Sequence, residues 1–140
     1  MAKIVPYLSV SNALEAITFY ENIFNVELKD RSQVGEGQAE MFGLDKDTDL
    51  SKTTMHAEFE ILGETIYISD NFTGKKLDNV NVSILIAPDN VEQAESIFEK
   101  VEKTKCKITE EFKQQFWGDY FGAFIDPFGI SWQVNYTPEK

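Results

Sequence analysis

Apolar and polar residues alternate along this chain with two different periods, and the order of those periods repeats. Residues 5–10, VPYLSV, read as a strand. Asn12 follows as a helix cap, with Glu15 at the capping-box position. Ala13, Ile17, Tyr20 and Phe24 then recur at helical spacing, which predicts an amphipathic helix to about Phe24. VELKDRSQV (26–34) reads as a polar-faced strand, and a long polar stretch covers residues 35–52. MHAEFEIL (55–62) alternates strictly. Met55, Ala57, Phe59 and Ile61 share one face, and His56, Glu58 and Glu60 the other. A turn at Gly63-Glu64 leads into TIYIS, so the two segments form a hairpin.

The plan then starts again. NVNVSILIA (79–87) predicts a strand. Asp89 or Asn90 can cap a helix with Val91, Ala94, Ile97, Phe98 and Val101 on its apolar side. KITEEF is a second polar-faced strand. The closing hairpin turns at DPFG, where Pro127 presets the backbone angle and Gly129 ends the turn. Each half is therefore β-α-β-β-β: module 1 at residues 1–71, a linker at 72–78 and module 2 at 79–140, within one domain. One helix covers one face of four strands, so a single module is expected to need a partner module. The predicted fold is α+β: two βαβββ modules in a cupped eight-stranded mixed sheet, with both helices on the convex face.

The alternation also sorts side chains by face. Leu8, Val10, Phe59, Ile66, Ile68, Val82, Ile84, Trp132 and Val134 are expected towards the helices. The opposite face carries Tyr7, Ser9, His56, Glu58, Glu60, Tyr67, Asn81, Ser83, Ser131, Gln133 and Asn135. Mixed aromatic and polar groups of this kind suit a small-molecule site. FWGDYFGAFIDPFGISW crowds seven aromatic residues around one turn. The phase of Trp132 assigns it to the core. Trp117 lies where QQFWGD breaks the alternation, and is expected to edge a pocket with Phe116 and Tyr120 nearby.

Composition narrows the function. A net charge of −11 over 140 residues disfavours a nucleic-acid partner and favours a neutral or cationic small ligand. No apolar run approaches the ~18 residues of a membrane span, and the opening residues lack a signal peptide's apolar core. Cys106 is the sole cysteine, so no intrachain disulfide forms, in keeping with a cytoplasmic setting. Its surroundings, KTKCKIT, suit a half-buried strand residue better than a nucleophile. With one histidine, a two-histidine metal site would need two subunits. An oxygen-ligand Mg²⁺ or Mn²⁺ site around Glu58 and Glu60 stays open. DKDTD (45–49) fails as a calcium loop, because Leu50 stands where glycine is required.

YLSVSNALEAITFYENIF, MHAEFEILGETIYISD and above all FWGDYFGAFIDPFGISWQVN resemble the PhnB-like branch of the vicinal oxygen chelate superfamily. This is the glyoxalase, bleomycin-resistance and extradiol-dioxygenase group, and the branch has also been labelled 3-demethylubiquinone methyltransferase-like. The resemblance implies paired βαβββ modules around a ligand site and a homodimer. Metal-dependent members carry three or four His, Glu or Gln ligands on the first and last strands of the two modules. The matching places here hold Val5 (or Pro6), Tyr67, Ser83 and Gln133, which departs from that pattern. The reading that follows is a small-molecule-binding protein without the metal quartet. Its ligand contacts are Tyr7, His56, Glu58, Tyr67, Trp117 and Gln133, with no metal or other cofactor expected. The alternatives are a lyase or isomerase using His56 and Glu58 as acid and base, with or without a divalent metal, and a fold that serves only association with a partner.

Overall fold

The computed structural model describes residues 2–73 and 81–139. It divides into two compact units, Met1–Leu77 and Asp78–Lys140. The first contains β1 (Tyr7–Val10), α1 (Ala13–Ile23), β2 (Val26–Ser32), α2 (Glu36–Met41), a short 3-10 turn (Leu50–Lys52), β3 (His56–Ile61) and β4 (Glu64–Asp70). The second contains β5 (Ser83–Ile86), α3 (Val91–Glu102), β6 (Lys107–Gln114), β7 (Tyr120–Ile125) and β8 (Ser131–Tyr136). Each unit builds a four-stranded mixed sheet with the same order, β1-β4-β3-β2 and β5-β8-β7-β6. In each, the first strand runs parallel to the last and the remaining pairs are antiparallel. The duplicated βαβββ plan read from the pattern is therefore the observed α+β architecture. The linker expected at 72–78 falls largely outside the described residues, as do Asn79 and Val80.

Helix entry follows local chemistry. Asn12 Oδ1 accepts from Glu15 N at 3.1 Å, and Asn90 Oδ1 from Gln93 N at 2.8 Å. Each satisfies an otherwise unpaired N–H of the first turn. Asn90, not Asp89, is the second cap. The helices bury matching faces: Ala13, Ala16, Ile17, Tyr20 and Ile23 in α1, and Ala94, Ile97, Phe98 and Val101 in α3. Tyr20 stacks on Phe59 at 6.0 Å between centroids, and Phe98 meets Phe124 edge-on at 5.7 Å. β3 then alternates half-exposed and buried at every residue, so one face is core and the other is not.

Two carboxylates pin these layers. Asp70, ending β4, accepts from Ala13 N at 2.7 Å through one oxygen and from Thr54 N at 3.0 Å through the other. It ties the start of α1 to the segment that leads into β3. Arg31 supports the same segment, donating to Thr54 Oγ1 at 3.1 Å, to Ser51 O at 2.9 Å and to Thr53 O. In the second unit Asp126 is buried in the DPFG turn. Its Oδ1 accepts from Phe128 N and Ile130 N at 2.9 and 3.0 Å, and its Oδ2 from Trp132 Nε1 at 2.9 Å. One carboxylate thus shapes the turn and seats the largest fully buried side chain.

Two expectations are corrected. Residues 35–52 are not a plain loop. They contain α2, whose entry is closed by Gly35 N donating to Gln38 Oε1 at 2.9 Å, and Phe42 stacks face to face on Phe72 at 4.6 Å. Six residues with a glycine among them gave too short a period to register as a helix. Val82 does not face the core. It precedes β5 and is largely exposed, because the strand begins one residue later.

Gly122 is packed where no side chain fits. A Cβ there would lie 2.5 Å from the Phe98 ring and 2.9 Å from the Phe112 backbone. Gly122→Ala should therefore cost about 1–3 kcal/mol of stability by overpacking. Asp126→Ala leaves the buried Trp132 indole and two part-buried backbone N–H groups without this acceptor and should cost about 2–4 kcal/mol. Urea denaturation of both variants checks these values. Wild-type midpoints would contradict the roles assigned here.

Candidate functional site

Which side chains reach the non-helical face of the first sheet is set by register. Tyr7 lies beside Tyr67 in the parallel β1/β4 ladder, and Glu58 lies opposite Tyr67 across β3/β4. His56, two residues before Glu58, shares that face. Three rings gather there. The His56 and Tyr67 centroids are 5.0 Å apart at 66°, Tyr7 and His56 5.8 Å at 42°, and Tyr7 and Tyr67 6.2 Å at 82°. Tyr7 Oη lies 3.5 Å from His56 Nδ1, the outer limit for a hydrogen bond. Tyr7 is 54% exposed, and His56, Glu58 and Tyr67 are half-buried. The Glu58 carboxylate has no hydrogen bond or ion pair among the described residues. Lys29 is the basic residue at this edge, and it is held by Glu27 at 2.9 Å and Glu60 at 3.8 Å, with the Glu27 hydrogen bond the main cause of its raised pKa.

Of the six residues expected to line a site, the structure thus gathers Tyr7, His56, Glu58 and Tyr67. Trp117 and Gln133 belong to the second unit. Trp117 sits with Phe116 at the tip of the β6/β7 hairpin, the two rings edge to face at 4.8 Å. The turn is closed by Gln115 N to Asp119 O at 2.7 Å and by Gly118 N to Gln115 O at 3.0 Å. Gly118 takes φ +105°, a backbone that favours glycine. Phe116 is 97% and Trp117 55% exposed. Gln133 lies in β8 between Leu85 and Ala123.

Aligning the two helix caps, Asn12 on Asn90, pairs Tyr7 with Leu85. Through the registers it then pairs Tyr67 with Gln133 and Glu58 with Ala123. Tyr7, Tyr67 and Glu58 of the first unit are thus matched by Leu85, Gln133 and Ala123 in the second, and His56, two residues before Glu58, by Phe121. Leu85, 53% exposed, was missed by a search for polar and aromatic groups. Its phase, opposite to that of Ile84 and Ile86, was the available signal. An open depression of about 730 Å³ between α2 and the following loop, lined by Glu36, Glu40, Leu44, Lys46 and Leu50 among others, includes none of the six residues.

A family model described as the Glyoxalase/Bleomycin resistance protein/Dioxygenase superfamily matches residues 3–134. The chain belongs to that superfamily. Protein YjdN of Escherichia coli (strain K12) is 26% identical over 141 residues, covering 96% of this chain and 95% of its own. Among solved structures, the PhnB protein from Bacillus cereus superposes with TM-score 0.77 at 21% identity, covering 97% of this chain and all of that one. Protein PA1353 from Pseudomonas aeruginosa gives 0.75 at 25% identity, covering 99% and 100%. The fosfomycin resistance protein FosX from Listeria monocytogenes shares the fold, with TM-score 0.64 at 17% identity over 98% of this chain and 90% of that one, in a structure complexed with Mn(II) and sulfate.

The superfamily's metal positions do not fit a metal here. Val5 has no donor side chain. Ser83 Oγ is engaged with Ser131 Oγ at 2.6 Å. Tyr67 packs its ring on His56, and Gln133 offers a neutral amide. Among the described residues, no three His, Cys, Asp or Glu side chains gather as a metal site. Also among the described residues, no helix is long and apolar enough to cross a membrane.

Cys106 precedes β6 and is half-buried. Burial pushes its thiol pKa up, a Thr104 hydrogen bond opposes this, and the Asp126 charge adds to the rise. Alkylation of the folded protein by iodoacetamide should be slower at neutral pH than that of a free thiol, and should accelerate only in the alkaline range. Because the folded value is raised, the stability tied to this thiol is full below the unfolded value. It is lost as pH rises through the folded value. Rapid labelling at pH 7 would contradict this account.

Proposed function

We propose that this protein is a small-molecule-binding member of its superfamily, of PhnB-like type, that works without the metal quartet. Its ligand lies against the Tyr7, His56, Glu58 and Tyr67 cluster of the first module. The observation that carries this reading is the half-exposed aromatic cluster beside a carboxylate that is unpaired among the described residues, on the face that α1 leaves uncovered. Such a face is too polar for dry core and too aromatic for plain solvated surface. The proposal includes one domain of two modules, a homodimer, and a cytoplasmic location.

One observation favours a second reading, an acid–base enzyme. Tyr7 Oη, His56 Nδ1 and the Glu58 carboxylate share one face, and a histidine beside a hydroxyl and a carboxylate can move protons. The two readings differ in magnitude. For a binder, His56→Gln lowers affinity by about tenfold or less, and nothing is turned over. For an enzyme, His56→Gln or Glu58→Gln lowers turnover by about 10²–10⁴-fold while the fold persists.

Native mass spectrometry with elemental analysis of the purified protein tests the proposal. A metal-free protein that retains a small-molecule mass, or whose melting temperature rises with a metabolite panel, is the expected result. A stoichiometric divalent metal that is lost in His56→Ala or Glu58→Ala would overturn it. A protein whose melting temperature no small molecule shifts would leave association with a partner as its role.

A further inference from the structure

We infer that the cluster on the first sheet selects an organic cation whose charge sits on an alkylated, weakly hydrated nitrogen, such as a quaternary ammonium or a substituted guanidinium. This rests on reading that face as the ligand site, and adds the chemistry of what it takes.

Three aromatic side chains meet at 42°, 66° and 82°, so they form walls and not a closed stack. Walls at steep angles leave ring faces available, and ring faces carry the negative part of the aromatic quadrupole. A cation set against them is attracted by that quadrupole, and the net gain is larger the less water the cation must give up. An alkylated ammonium holds its water weakly, whereas a metal ion does not and needs several hard donors. Among the described residues, no three His, Cys, Asp or Glu side chains gather to supply them.

The carboxylates supply the second half. Glu58 lies directly across the ladder from Tyr67, and cross-strand neighbours on one face approach within about 5 Å between their Cβ atoms. Its charge is unmatched among the described residues. Asp30 pairs with Glu58 in the β2/β3 register and adds negative potential. The Lys29 charge is offset by Glu27 and Glu60. An anionic ligand would meet this face unfavourably, and a neutral one would leave Glu58 without a partner. On the corresponding face of the second unit Leu85, Gln133 and Ala123 stand in place of Tyr7, Tyr67 and Glu58, and only Phe121, in the place of His56, keeps a ring, while Glu110 pairs with Ala123 as Asp30 does with Glu58. Three rings beside the carboxylate opposite Tyr67 are thus a feature of the first module that the matching positions of the second do not repeat.

The test is a titration of the intact protein followed by NMR, with benzyltrimethylammonium, choline and 3,3-dimethylbutanol, the last being the neutral isostere of choline. The expected result is saturable shifts at Tyr7, His56 and Tyr67 with both cations, and at least tenfold weaker binding of 3,3-dimethylbutanol. Tyr67→Phe should keep the affinity, Tyr67→Leu should lose about tenfold, and Glu58→Gln should lose about threefold to tenfold. Equal affinity for the neutral isostere overturns the inference while leaving a ligand site at this cluster. Absence of cation-induced shifts also overturns it, and a metabolite panel that still shifts those three residues separates this failure from failure of the binding function. Full affinity in Tyr67→Leu overturns the assignment of the rings.

Discussion

Each half of this protein has four strands and one helix long enough to cover them. A single helix shields one face of a sheet, so the other face must find a different use. The strict alternation in β3 records the consequence residue by residue: Ala57, Phe59 and Ile61 are buried under α1, while His56, Glu58 and Glu60 stay half-exposed. The candidate site exists because of that shortage of cover. Its side chains are aromatic and ionisable together, a combination that serves neither a dry core nor an inert surface.

Rigidity in the covered half is what holds the uncovered half in place. Asp70 and Arg31 fix residues 51–54, the segment that delivers His56 at the start of β3. Asp126 does the same for the last hairpin, since one carboxylate accepts from two turn N–H groups and the Trp132 indole. Charge-assisted bonds to backbone donors are stronger than neutral ones and short in reach, so they set position at low cost in chain length. The close packing of Gly122 against Phe98 shows how little slack remains beneath the second sheet.

The two modules keep one architecture and diverge in chemistry. Cap-to-cap alignment puts Tyr7, Tyr67 and Glu58 where the second module has Leu85, Gln133 and Ala123. Superfamily membership is consistent with many activities on one fold, so function has to be argued from these side chains. The places where the family resemblance puts metal ligands carry poor donors here, which leaves the aromatic and acidic groups as the chemistry of this face.

Much of this was legible from residue order. Strand and helix periods differ, so VPYLSV, MHAEFEIL and the two Asn-capped helices announced their elements and their buried faces locally. Repetition of that order determined the duplicated plan. The burial of Trp132 also followed from phase alone. What phase could not supply was distance. The three rings span 60 residues of the chain, from Tyr7 to Tyr67, and only the β1/β4 and β3/β4 registers bring Tyr7, His56 and Tyr67 within about 6 Å. α2 was hidden because six residues are too few for a period. Val82 was misassigned because the start of a strand depends on where its partner begins to pair. Local periodicity determines what each segment is and which face it buries; long-range pairing, which depends on closing loops between distant residues, decides which side chains meet.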